Sequence, residues 1–135
     1  VKMGAEMVEP NIAGVKAMLG KLKQGGVVLI AGDQVPNPEG GLLANFFSVP
    51  ALTMTLVSKL KLKTGAPCHS VFCIRKPGEL GFEVAYSEEI VGMDLDMQSS
   101  VDRMNAEIKK SIMIAPEQYA WEYKRYKHSG QKGIY

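Results

Sequence analysis

Apolar residues recur along this chain in two rhythms, and the switches between them mark its elements. Ile12, Val15, Met18, Leu19 and Leu22 fall at helical spacing behind Glu9-Pro10, with Lys16, Lys21 and Lys23 mostly elsewhere. Proline is tolerated in a first helical turn, and Gly25-Gly26 provides the stop. The next run, Val27-Val28-Leu29-Ile30-Ala31, is short, β-branched and continuous. Such a run predicts a strand covered on both faces, as in a parallel sheet. Asp33 to Thr53, DQVPNPEGGLLANFFSVPALT, then reads as a long loop rich in proline and glycine, carrying two adjacent phenylalanines.

From Pro50 to Lys63 the spacing of Leu52, Leu56 and Leu60 predicts a second helix, ended by Gly65. Lys59 and Lys63 lie on another face and oppose the negative end of its dipole. Pro67 to Arg75 and Gly81 to Ser87 read as a hairpin turning at Lys76-Pro77-Gly78. In its second arm Phe82, Val84 and Tyr86 alternate with Glu83, Ala85 and Ser87, so one face is expected toward solvent. Ser99 with Asp102 suggests a capping box before a helix whose apolar face is Val101, Met104, Ile108 and Ile112. Pro116 ends that helix and opens a short last one through Trp121. The order α-β-α-β-β-α-α supports an α/β fold with a mixed, mainly parallel sheet flanked by helices.

At 135 residues, 46% hydrophobic and 22% charged, the chain has ordinary globular composition. A net charge of +2 is too small to imply a polyanion, and no nucleic-acid partner is expected. The distribution is uneven. Eight acids and one base lie between Glu79 and Glu107, and four bases and one acid between Tyr119 and Tyr135. Both runs also fit a solvated face. Cys68 and Cys73, five apart in an apparent strand, point to opposite faces and are not expected to bridge. No run of eighteen apolar residues exists, so no membrane-spanning helix is expected. The chain opens at Val1 without an initiator methionine, which fits a processed or truncated product.

Candidate chemistry concentrates after the first strand. Ligands of open α/β sheets bind outside the carboxyl ends of strands, where Asp33 and Gln34 stand. Asp33 could hold a substrate hydroxyl, orient an arginine or tune an acid-base group; it could equally form a turn. Phe46 and Phe47 face opposite ways if extended, which places one ring in the core and leaves the other for an acyl chain or lipid; both packed is the plainer reading. Neither His69 nor His128 has a second ligand at zinc-like spacing, so no metal or other cofactor is expected. The tail Trp121-Glu122-Tyr123-Lys124-Arg125-Tyr126-Lys127 could stack bases, sit at a membrane interface, or cap the fold.

Taken in order, Gly32-Asp33-Gln34, Gly40-Gly41, Phe46-Phe47-Ser48-Val49-Pro50-Ala51-Leu52-Thr53, Thr64-Gly65-Ala66-Pro67, Met104-Asn105, Ile108 and Pro116-Glu117-Gln118-Tyr119-x-Trp121-x-x-x-Arg125-x-Lys127 form a specific pattern. It resembles the carboxyl-terminal half of the bacterial lipid A biosynthesis acyltransferases, the lauroyl and myristoyl transferases, from about Gly25 onward. Phosphatidylinositol mannoside acyltransferases share the pattern. The chain departs from it at Ser48, where the family usually has glycine, and at Tyr123, Lys124 and Tyr126. Lys124 in place of arginine keeps the charge and loses the bidentate fork.

The resemblance implies that residues 1–135 are the carboxyl-terminal portion of a single acyltransferase domain, with a partial glycerolipid-acyltransferase-like fold. It implies an enzyme on the cytoplasmic face of the inner membrane that moves a fatty acyl chain from acyl carrier protein to a hydroxyl of a lipid A precursor, with a membrane surface as partner. In that family a histidine with Asp or Glu five positions later acts as base. Here Ile74 stands five after His69 and Gly133 five after His128, so the motif is expected upstream and the chain alone is expected to be inactive. Asp33 would support that site, Gln34 would contact substrate, Phe46, Phe47 and Thr53 would shape the acyl pocket, and Arg125 would meet a phosphate or headgroup. A non-catalytic lipid- or carrier-protein-binding module of the same fold is the alternative. A piece that leaves core uncovered can also self-associate.

Overall fold

The computed structural model describes residues 4–78, 80–130 and 133–134. Val1, Glu79, Lys132 and Tyr135, named above at the ends of the chain and of its charged runs, lie outside them. Three helices and two separate antiparallel hairpins make up the described fold.

Helix α1 (Ile12–Lys23) starts on Asn11, whose side chain accepts from the Gly14 N–H. It ends where Gly25, at φ +76°, lets two amides turn back: Gly25 N–H donates to Leu22 and Gly26 N–H to Lys21. Strands β1 (Gly41–Phe46) and β2 (Val49–Met54) pair antiparallel, with Phe46 opposite Val49. Phe47 and Ser48 join them with φ of +49° and +66°, the signature of a two-residue turn that matches strand twist. Helix α2 (Leu56–Thr64) follows directly. Strands β3 (Val71–Arg75) and β4 (Phe82–Tyr86) form the second hairpin, and α3 (Met97–Ile112) packs across β1.

Helix α3 joins two apolar clusters. Phe46, Ala51 and Ile112 form one; Ile90, Met93 and Met104 form the other; Ile108 packs against both. Between α2 and α3 the buried Ser100 hydroxyl donates to Ser58 at 2.7 Å.

Several expectations are corrected. No parallel pairing occurs among the described residues, and 27–31 forms no strand ladder. Val27 and Leu29 are 88% and 79% exposed while Val28 and Ile30 are half-buried, so one face of the apolar run is uncovered. The loop-then-helix reading of 41–54 fails because β2 takes Val49–Met54. Leu52 shares helical spacing with Leu56 and Leu60, yet it packs as a strand residue. The α3 cap is Asp96, whose carboxylate accepts from both the Ser99 N–H and hydroxyl, rather than Ser99 itself. The last helix shrinks to a 3₁₀ turn at Pro116–Gln118. In β4, Phe82, Val84 and Tyr86 are all exposed, so the apolar face looks outward.

Candidate functional site

The carboxyl-terminal tail folds back over the β1–β2 hairpin and the 33–35 loop, and this closure assembles the site. Tyr126 donates its hydroxyl to the Phe46 carbonyl at 2.9 Å. The Tyr123 hydroxyl accepts from the Val35 N–H at 2.8 Å. Tyr119 donates to Asp33 Oδ2 at 3.1 Å. Three tyrosines therefore fix the tail at three points.

Within this frame the rings of Phe46, Phe47, Tyr119, Tyr126 and Trp121 form a continuous aromatic cluster. Phe46 meets Phe47 edge-on at 5.0 Å between centroids, Phe47 meets Trp121 at 5.5 Å, and Tyr119 meets Trp121 at 5.0 Å. Phe46 is buried, Phe47 half-buried and Trp121 exposed. The two phenylalanines differ in burial, and Phe47 lies in the tight turn and not in the strand.

Beneath the rings lies a buried polar knot. Arg125, 2% exposed, donates from Nη1 to the Leu52 carbonyl at 2.6 Å and from Nη2 to Thr53 Oγ1 at 2.7 Å. Thr53 Oγ1 also accepts from Asn105 Nδ2 at 3.0 Å and donates to the Ala51 carbonyl at 3.0 Å. Asn105 Nδ2 reaches on to the Asn45 carbonyl of β1. The guanidinium lies over the Phe46 ring, 5.1 Å from its centroid, and its Nε is buried without a hydrogen-bond partner among the described residues. Burial pulls the Arg125 pKa down, while Tyr119 and Asp33 work against that pull. Burial, then the Asp33 charge and the hydrogen bond to it, push the Tyr119 hydroxyl well above the ordinary tyrosine range. Tyr119 is thus held as a protonated donor to Asp33.

Of the residues singled out from sequence, Asp33, Phe46, Phe47, Thr53 and Arg125 converge here; Gln34 is exposed, its N–H bonded to the Ala31 carbonyl. Thr53 and Arg125 are buried and hydrogen-bonded to one another. Asn105, Tyr119, Trp121 and Tyr126 were missed as site residues, although the family-like pieces Met104-Asn105 and Tyr119-x-Trp121 hold three of them. The His69 Nδ1 lies 3.1 Å from the Ser87 carbonyl, and no group of three or more metal-ligating side chains occurs among the described residues.

The pattern of the family described as bacterial lipid A biosynthesis acyltransferase matches residues 1–128, nearly all of the chain and all of this site's residues. The chain belongs to that family. Among individual relatives, a lipid A biosynthesis palmitoleoyltransferase of Escherichia coli (strain K12) is 32% identical over 127 residues, 90% of this chain and 40% of the relative. A lipid A biosynthesis acyltransferase of Shigella flexneri matches with the same figures. A lipid A biosynthesis lauroyltransferase of Escherichia coli (strain K12) is 30% identical over 115 residues, 84% of this chain and 38% of the relative. The chain therefore spans about 40% of the length of the curated acyltransferases it matches. Among the described residues no helix is long and apolar enough to cross a membrane.

Proposed function

We propose that this chain forms one wall of the acyl-transfer site of a lipid A biosynthesis acyltransferase. The whole enzyme moves a fatty acyl chain from acyl carrier protein to a hydroxyl of a lipid A precursor, at the cytoplasmic face of the inner membrane. The observation that carries this reading is Asp33, held by Tyr119 at the end of an extended segment beside an aromatic cluster with an exposed edge. The family match over residues 1–128 supports reading that arrangement as part of an acyltransferase site.

In the reaction a base removes the acceptor hydroxyl's proton, the oxygen attacks the thioester carbonyl, and the carrier thiolate leaves with a proton as the ester forms. The family's His-x4-Asp/Glu base does not occur in these 135 residues. Asp33 serves as a positioning acid: Tyr119 engages Oδ2, and the carboxylate orients a base or hydroxyl supplied from outside the chain. Phe47 and Trp121 offer apolar surface to an acyl chain, and Gln34 stands exposed beside Asp33 for a polar substrate group. Arg125 and Thr53 act from below, holding β2 in place, and the tail's exposed Lys127 faces the membrane surface.

The test is an acyltransferase in which this chain replaces the matching part of the Escherichia coli palmitoleoyltransferase. Asp33→Asn can still accept from Tyr119, so the protein should fold while turnover falls at least about 100-fold. Unchanged turnover would remove Asp33 from the site. The isolated 135-residue chain, given acyl carrier protein thioester and lipid A precursor, should give no product; robust transfer would show that it carries its own base.

A further inference from the structure

A cavity of about 350 Å³ lies between two chain segments. One wall is the continuous run 28–33 and the other is 68–74, with Met104, Ile108 and Ile112 of α3 beneath. Because successive residues of both runs line it, their backbones border the cavity. Beyond the β3–β4 ladder and the Ile90 bond to the Cys68 carbonyl, most of these backbone groups have no backbone partner among the described residues. Among the described residues no backbone hydrogen bond reaches 27–30, and Ala31 offers only its carbonyl, to Gln34. On β3 the ladder alternates: the Ser70 carbonyl accepts from Ser87 and Lys76 N–H donates to Gly81, so even-numbered residues face β4. Val71, Cys73 and Arg75 therefore aim N–H and C=O the other way. Only Arg75 finds a partner, because Gln118 accepts from its N–H at 2.7 Å and donates to its carbonyl at 3.2 Å.

Gln118 thus imitates a neighbouring strand at one end of the β3 edge. Its neighbour Tyr119 binds Asp33, at the end of the facing segment. Consecutive residues therefore bring the carboxyl ends of both segments to one end of the cavity. Their outward faces are apolar and uncovered as well: Val27 and Leu29 on one, Phe82 and Val84 on the hairpin. A fatty acyl chain in the cavity would leave every one of these edge amides and carbonyls without a partner. A polypeptide strand would satisfy both edges at once.

We propose that the cavity is a slot for one apolar β-strand contributed by the part of the acyltransferase that these residues do not include, which in the curated relatives amounts to about 60% of the length. Laid between 27–31 and β3, that strand converts two separate pieces into one sheet and carries its neighbouring residues to the Asp33 end. The inference rests on family membership and on the unpaired edges. It does not depend on the catalytic role of Asp33, so either can fail alone.

The test titrates the 135-residue chain with overlapping ten-residue synthetic peptides covering the unmatched part of the Escherichia coli palmitoleoyltransferase, read by amide hydrogen exchange. One peptide is expected to slow exchange at least about tenfold on both walls together, within Val28–Ala31 and at Val71 and Cys73. Cys73→Pro and Val71→Pro each remove one outward N–H while sparing the β3–β4 ladder, and each should weaken that peptide's effect at least about tenfold. Three results would overturn the proposal: no peptide protecting both walls, the same protection from palmitoleic acid alone, or the same protection from self-association of the peptide-free chain.

Discussion

Arg125 Nη2 donates to Thr53 Oγ1 at 2.7 Å across 72 residues of sequence, and this bond ties the tail to the middle of β2. With the parallel bond to the Leu52 carbonyl, it makes Arg125 a structural clamp. Arg125→Ala would leave a buried carbonyl and hydroxyl short of a charged donor. The expected loss is about 2–4 kcal/mol in urea denaturation, since hydrogen bonds to charged groups contribute roughly 1.5–3 kcal/mol each and are not additive. Arg125→Lys should recover only part of it, because one ammonium lacks the fork that serves two acceptors.

Thr53 tests the same knot from its other side. Thr53→Val keeps the shape but removes the acceptor shared by Asn105 and Arg125. Two buried donors lose a partner, and the expected cost is about 2–3 kcal/mol. Thr53→Ser keeps the oxygen and should cost about 1 kcal/mol for the missing methyl group. Equal destabilisation by the two variants in thermal denaturation would mean that packing, and not hydrogen bonding, sets the role of Thr53.

Ser48 occupies the second left-handed position of the β1–β2 turn, at φ +66°. A side chain there works against the backbone, and glycine does not. Ser48→Gly should therefore stabilise the chain by about 1 kcal/mol and raise the melting temperature by several degrees. A lower melting temperature would place the strain elsewhere. Phe47 shares the unusual backbone, at φ +49°, but its ring contacts Phe46 and Trp121, so glycine at 47 should destabilise.

Cys68 and Cys73 should differ toward an alkylating reagent. Burial raises the Cys68 thiol pKa, with Lys61 opposing the shift, whereas the Cys73 side chain is exposed. Mass spectrometry at pH 8 should find Cys73 modified first, and Cys73→Ser should leave a slowly reacting protein. Faster labelling of Cys68 would contradict its placement against Ile90 and Met93.

Helices α1 and α3 were legible because their patterns are local: Met18 in α1 and the Val101, Met104, Ile112 face of α3 are buried as their spacing suggests. Strand β2 was not, because Leu52 continues a leucine spacing that α2 takes up only at Leu56, and because the turn uses Phe47-Ser48 where Asn-Gly would have signalled it. The run 27–31 reads as a doubly covered strand, yet no partner strand stands beside it among the described residues. Asp33 could be singled out by its place after that run. Its partner Tyr119 could not, since 86 residues separate them and only the folding back of the tail joins them.

Tyr119 links that contact to pH. Its hydroxyl is raised above the ordinary value of 10.0, by burial first and the Asp33 carboxylate second. The folded state therefore holds the tyrosine proton more tightly than the unfolded chain. That contribution is fully present below pH 10 and is lost as pH rises above it toward the folded-state value. Tyr119→Phe removes both the proton and the bond to Asp33. It should cost about 1–2 kcal/mol at pH 7 and leave a shallower decline of stability above pH 10 than the unaltered chain shows. Urea denaturation midpoints at pH 7, 9 and 10.5 measure both effects. An identical alkaline slope in the two proteins would mean that Tyr119 does not hold its proton against Asp33.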